Sequence, residues 1–234
     1  KLKTVNVTST TGDAKVGTIG GDSKNNTTDA LNITVSAAKA ATLGTVGHAT
    51  GSGKLGDISV TATNGLLTAG AITGTEAGTI SLTSTNGAIA GTGAVAVTDA
   101  TGVTVNMTAK TFITDSGATG GGAIIVQNTG GNITASVAGA AAAKVNYTAV
   151  TKGVVNLTAT NTGGLTSTVT NAGTIADALT STITLGNAVS GKSNDVTIKG
   201  TVATLNVTGG TGVDNITLTG AQVKSGTIAL GTTL

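Results

Sequence analysis

The chain has 234 residues, of which 9% are charged and 1% aromatic, with 37 Gly, no Pro, no Cys and a formal net charge of +2. Every basic residue is Lys, scattered singly from Lys1 to Lys224, which excludes the clustered Arg, Lys and aromatic platforms of nucleic-acid recognition. The missing Cys removes disulfides and thiolate metal sites, and no run approaches the roughly 18–20 consecutive apolar residues of a membrane helix.

With 38% hydrophobic residues and a mean hydropathy of +0.31, the chain is too apolar for a disordered polar tract. Phe112, Tyr147 and Met107 are the only bulky residues apart from Leu and Ile, so the core must be stacked from small, mostly β-branched side chains. A regular array suits that inventory better than one irregular core.

Taken in chain order, the sequence opens without Met on Lys1-Leu2-Lys3 and reaches its first element at Val5-Asn6-Val7-Thr8. This signature, apolar then Asn/Ser/Thr then apolar then Thr, returns at Leu31-Asn32-Ile33-Thr34, Ile58-Ser59-Val60-Thr61, Ile80-Ser81-Leu82-Thr83 and Val105-Asn106-Met107-Thr108. It continues at Gly131-Asn132-Ile133-Thr134, Val155-Asn156-Leu157-Thr158, Ser181-Thr182-Ile183-Thr184 and Leu205-Asn206-Val207-Thr208, with the first apolar residue lost at Gly131 and Ser181. The steps cluster at roughly 25 residues, inside the range expected of solenoids. Alternation within each copy describes a strand with Val5 and Val7 turned one way and Asn6 and Thr8 the other.

Further alternating runs, Ala123 to Val126, Val145 to Val150, Val196 to Ile198 and Ile216 to Leu218, supply the other sides of a coil, and Gly120-Gly121-Gly122, Gly130-Gly131 and Gly163-Gly164 supply corners. The expected fold is therefore all-β: a right-handed parallel β-helix or closely related β-solenoid with coils of roughly 25 residues, covering 1–234 as one repetitive segment. Stacking would set Asn6, Asn32, Asn106, Asn132, Asn156 and Asn206 in one outward line, beside a line of Thr. Tandem immunoglobulin-like sandwiches are the alternative, but these would repeat at roughly 100 residues, a period the chain lacks. The stretches Lys15–Ala30 and Ala138–Ala143 fit no position in such a coil. Because the pattern is still running at Leu234, the chain is expected to be a segment or processed form of a longer protein.

Few residues here carry chemistry. Sugar cleavage, the usual activity of parallel β-helix enzymes, needs paired carboxylates or a base beside bound calcium. Glu76 is the only Glu and His48 the only His, while Arg and Trp are missing, so no catalytic residue is expected. His48 reads as a solvated loop residue. Asp13, Asp22, Asp29, Asp57, Asp99, Asp115 and Asp177 sit mostly beside Gly, Ser, Thr or Asn and read as turn caps, with an Asp29–Asp57 pair across coils as a further place for calcium. Asn-x-Thr sequons at Asn6, Asn32, Asn106, Asn132, Asn146, Asn156, Asn206 and Asn215 follow automatically from the alternation. An outward Thr array would also suit ice binding, but the unequal steps, short from Ser59 to Ser81 and long from Asn32 to Ser59, are expected to break a flat face.

One motif is specific. Gly209-Gly210-Thr211-Gly212-Val213-Asp214-Asn215-Ile216-Thr217 matches the calcium-binding nonapeptide at every specified position, with Gly210 and Gly212 bringing carbonyls near a cation and Asp214 offering a carboxylate. A degenerate echo lies at Gly191-Lys192-Ser193-Asn194-Asp195, making Asp195 a weaker candidate ligand. In a Thr/Gly/Ala/Asn-rich chain with little charge, this motif resembles bacterial surface-layer proteins and other RTX-type secreted proteins. The resemblance implies type I secretion, an extracellular cell-surface location, and calcium that orders rods and bridges copies of the chain into a lattice or fibre. Cell-surface polysaccharide or lipopolysaccharide would be a further partner. Gly78-Thr79-Ile80-Ser81-Leu82-Thr83-Ser84-Thr85-Asn86-Gly87 resembles filamentous haemagglutinin and autotransporter passengers, which implies the alternative of a secreted adhesin.

Overall fold

The computed structural model describes residues 3–21, 30–48, 55–74, 78–91, 95–97, 104–114, 124–128, 132–150, 154–171 and 180–230. Among them the secondary structure is strand alone, and the strands stack in parallel as a β-solenoid with equivalent positions about 25 residues apart. The fold expected from the sequence is the fold observed.

With the strands numbered in chain order, three ladders run up the rod. The first stacks β1 (Thr4–Ser9), β4 (Leu31–Ala37), β7 (Leu55–Ala62), β10 (Thr79–Ser84), β13 (Thr104–Ala109), β16 (Ile133–Val137), β18 (Val154–Ala159) and β20 (Thr180–Leu185). The second halves of β21 (Ser193–Thr208) and β22 (Val213–Ala229) complete it. The second ladder stacks β2 (Ala14–Val16), β5 (Ala41–Leu43), β8 (Leu67–Ala69), β11 (Ile89–Gly91), β14 (Phe112–Thr114), β17 (Ala143–Val150) and β19 (Leu165–Asn171), then the first halves of β21 and β22. The third is short: β3 (Ile19–Gly21), β6 (Val46–His48), β9 (Ile72–Gly74), β12 (Val95–Val97) and β15 (Ile124–Asn128).

The third ladder ends where β17 pairs with β14 through its first residues and with β15 through Tyr147–Val150, so one strand spans two sides. The stretches that fitted no coil position fall into place here. Lys15 belongs to β2 and Ile19–Gly21 to β3, while Ala138–Ala142 turn the corner into β17; residues 22–29 lie outside the described set.

Alternation builds the core. In the first ladder Ile33, Ile58, Ile80, Val105, Ile133 and Val155 form one fully buried column and Val35, Val60, Leu82, Met107, Ala135, Leu157 and Ile183 the next. Met107 meets Ala135, the smallest member, so a large side chain is followed by a small one and the column keeps its density. Buried hydroxyls are placed under backbone acceptors: Ser84 Oγ donates to Gly65 O at 2.7 Å and Ser167 Oγ to Val145 O at 2.7 Å. Ser181, where the signature lost its apolar residue, is fully buried with its hydroxyl unpaired among the described residues.

The asparagine line is corrected. Val5 pairs with Ile33 rather than Leu31, and Val105 with Ile133 rather than Gly131, so two copies of the signature sit two residues out of step. A shift of two preserves the face, which leaves Asn32 and Asn132 outward but at the strand's start. There they hold the next coil's backbone: Asn32 Oδ1 accepts from Asp57 N at 2.9 Å and Asn132 Oδ1 from Val154 N at 3.2 Å. The expected line instead runs Asn6, Thr34, Ser59, Ser81, Asn106, Thr134, Asn156, Thr182 and Asn206, with no two asparagines adjacent. A short amide ladder does form, at the corner after the first side, where Asn86 Nδ2 donates to Asn64 Oδ1 at 3.0 Å and Asn64 Nδ2 to Ala38 O at 3.2 Å.

Candidate functional site

The nonapeptide forms the turn from β21 into β22 and the first residues of β22. Gly209 and Gly210 leave β21, Thr211 and Gly212 bend the chain, and Val213 starts β22. The glycines are required by contact with the coil beneath: a Cβ on Gly210 would stand 2.2 Å from Gly186 O, and one on Gly212, held at φ +112°, would stand 2.7 Å from Ala188 O. Asn187 Oδ1 accepts from Thr211 N at 2.7 Å and pins the bend to that lower loop.

Asp214 pairs in register with Asn194, and Asn215 with Asp195. Neighbours along a strand point to opposite faces, so Asn194 and Asp214 turn toward the interior while Asp195 and Asn215 turn out. The two candidate carboxylates therefore stand on opposite faces of the sheet and cannot share one cation. In phase, the equivalent of Asp214 in the preceding coil is Asn194; the echo noticed in the sequence runs one residue late.

Each carboxylate has its own amide. Asn194, 1% exposed, donates Nδ2 to Asp214 Oδ1 at 2.8 Å and to Gly186 O at 3.0 Å. Asp195 is closed off by hydrogen bonds, Oδ1 accepting from Asn215 Nδ2 at 2.7 Å and Oδ2 from Ser193 Oγ at 2.7 Å. Asp214 Oδ2 differs: it is buried and has no hydrogen-bond partner among the described residues. Leaving such an oxygen unpaired costs free energy, and a bound cation is one way to satisfy it. Among the described residues no three His, Cys, Asp or Glu side chains gather closely enough to hold a metal, so any ion at Asp214 would draw its remaining ligands from carbonyls and solvent.

The other candidate positions are dispersed. Asp13 Oδ1 accepts from Ala40 N at 3.0 Å and Asp57 Oδ1 from Thr79 N at 2.8 Å, each tying one coil to the next. His48 is the last residue of strand β6, not a loop residue. Asp22, Asp29, Glu76, Asp99, Asp115 and Asp177 lie outside the described residues, as does the Asp29 half of the Asp29–Asp57 pair. Sequence reasoning missed Asn194, Asn187, Asn64 and Asn86, whose roles depend on which residue of the neighbouring coil lies beside them. No helix among the described residues is long and apolar enough to cross a membrane.

No protein-family model, curated protein or solved structure matches the chain. The reading of its function rests on sequence pattern and geometry.

Proposed function

We propose that this chain is a structural, extracellular protein that assembles with copies of itself into a bacterial surface layer or surface filament. The observation that carries the reading is the regular stack of parallel ladders, a stiff body of one repeated unit that runs through to β22. Leu218, Val223 and Ile228 continue the interior columns of Ile198, Val202 and Val207, whose members are at most 1% exposed, yet they are themselves 45%, 37% and 50% exposed. The last strand of such a stack pairs with whatever strand is laid on it next, whether of this chain or of another copy. The stacked hydrogen-bonded coils supply a stiff body behind that strand.

Calcium belongs to this reading. The nonapeptide leads into β22, and the unpaired Asp214 Oδ2 supports a cation that would order that strand on the coil beneath it. Cell-surface polysaccharide or lipopolysaccharide is the anchor that the surface-layer resemblance implies.

Leu218→Lys with Ile228→Lys places two charges on β22 while leaving the lower coils intact. Sedimentation should show assembly in the unaltered chain and monomers in the double variant, with unchanged β-sheet circular dichroism. An unaltered chain that stays monomeric and binds cells would transfer the reading to a secreted adhesin.

A further inference from the structure

The outward side of the first ladder carries almost no charge. From β1 to the second half of β21 its strands hold a single charged residue, Asp57, at the bulge on one rim. The second side carries Lys15, Lys144, Asp195 and Lys199, and Lys39 and Lys110 stand at the corner between the two. The first side instead presents hydroxyls and amides in straight columns. The most regular runs through Thr61, Thr83, Thr108, Ser136, Thr158 and Thr184 without interruption. Unequal coil lengths do not disturb it, because the register is continuous from strand to strand apart from the one bulge at Leu31–Ile33. The unequal steps expected to break a flat face thus leave the strand register intact.

We propose that this side is the lateral contact between neighbouring copies of the chain, an inference that rests on the self-assembly reading and names a surface distinct from β22. Three arguments select a second copy as the occupant. The first is size: five residue steps by eight ladder steps give a surface roughly 17 Å wide and 40 Å long, or ~700 Å² in projection, close to the ~800 Å² per partner of a standard-size interface. The second is repeat: two copies share the same spacing of ~4.8 Å between strands, so a column of one stays in step with a column of the other along the whole contact, which an unrelated surface does not do. The third is chemistry. Each Thr or Ser hydroxyl both donates and accepts, so a hydroxyl column is its own complement, and the Thr methyls leave no charge to desolvate. Sugar recognition would call for aromatic faces, and the chain has one Phe and one Tyr.

The test compares Thr83→Lys/Thr108→Lys, in the middle of the column, with Thr68→Lys, outward on the second side, and with Leu218→Lys/Ile228→Lys. Electron microscopy and sedimentation read assembly, and circular dichroism melting reads the fold. The expected result is that Thr83→Lys/Thr108→Lys turns sheets into single filaments and raises the concentration needed for lateral association at least tenfold, with an unchanged melting midpoint. Thr68→Lys should keep its sheets and Leu218→Lys/Ile228→Lys should lose all assembly. Sheets that persist in the double-lysine variant, or dissolve equally in Thr68→Lys, would overturn the proposal. Filaments without sheets in the unaltered chain would overturn it while leaving self-assembly standing; monomers throughout would overturn both. A sheetless chain retained on ice or on insoluble polysaccharide through this same side would also overturn it.

Discussion

Two buried serines should respond with opposite sign to the same substitution. Ser181 and Ser167 are 0% and 1% exposed, both inward on ladder strands, and both would be replaced by Ala. Ser167 Oγ donates to Val145 O at 2.7 Å, so Ser167→Ala loses a satisfied hydrogen bond, a cost of about 0.5–1.5 kcal/mol. Ser181 Oγ has no partner among the described residues and lies between Val155 and Leu205. Removing that hydroxyl recovers the desolvation cost of an unpaired group, about 1–3 kcal/mol. A central gain of ~2 kcal/mol raises the midpoint by roughly 4–8 °C in a chain of this length. Thermal melts of the two variants beside the unaltered chain measure this difference directly. If Ser181→Ala lowers the midpoint as Ser167→Ala does, then Ser181 has a partner and the placement of that column is wrong.

Glycine substitutions should divide by contact. Gly210→Ala sets a methyl against the carbonyl of Gly186 and should cost ~1–3 kcal/mol in denaturant melts, whereas Gly20→Ala, with nothing within 4 Å, should be neutral or slightly stabilising. Equal effects would show that coil-to-coil contact does not select these glycines. Calcium at 100 times its dissociation constant should raise stability by ~2.7 kcal/mol; Asp214→Asn should abolish that response while Asp195→Asn, on the other face, keeps it. A melting midpoint indifferent to calcium, or abolished equally by both variants, would remove the ion from the account.

How much of this was legible beforehand follows from what each inference needed. Alternation and a recurring signature were enough for the solenoid, because a strand's inward and outward residues depend only on parity. Register was another matter. Leu31-Asn32-Ile33-Thr34-Val35-Ser36 fits the signature at one offset and, with Ser36 in place of Thr, at the next; Gly131-Asn132-Ile133-Thr134-Ala135-Ser136 fits at each offset with one position off, and the same face is buried either way. Backbone pairing chose the later offset in both, and with it dissolved the expected asparagine line. The nonapeptide was visible, but its lower partner was not: Asp195 attracts attention as a carboxylate, while the residue actually beside Asp214 is Asn194, an amide that the nonapeptide pattern does not specify. The outward line of Thr was expected from the alternation, but which hydroxyls share a column, and that the side carries one charge, depend on the register and appear only once the coils are stacked.

Electron microscopy of the purified chain over a rising concentration series, in calcium and then in chelator, tests self-assembly most directly. The account predicts filaments that join side by side into ordered sheets in calcium and disperse on chelation. Short, separate rods at every concentration in both conditions would contradict it.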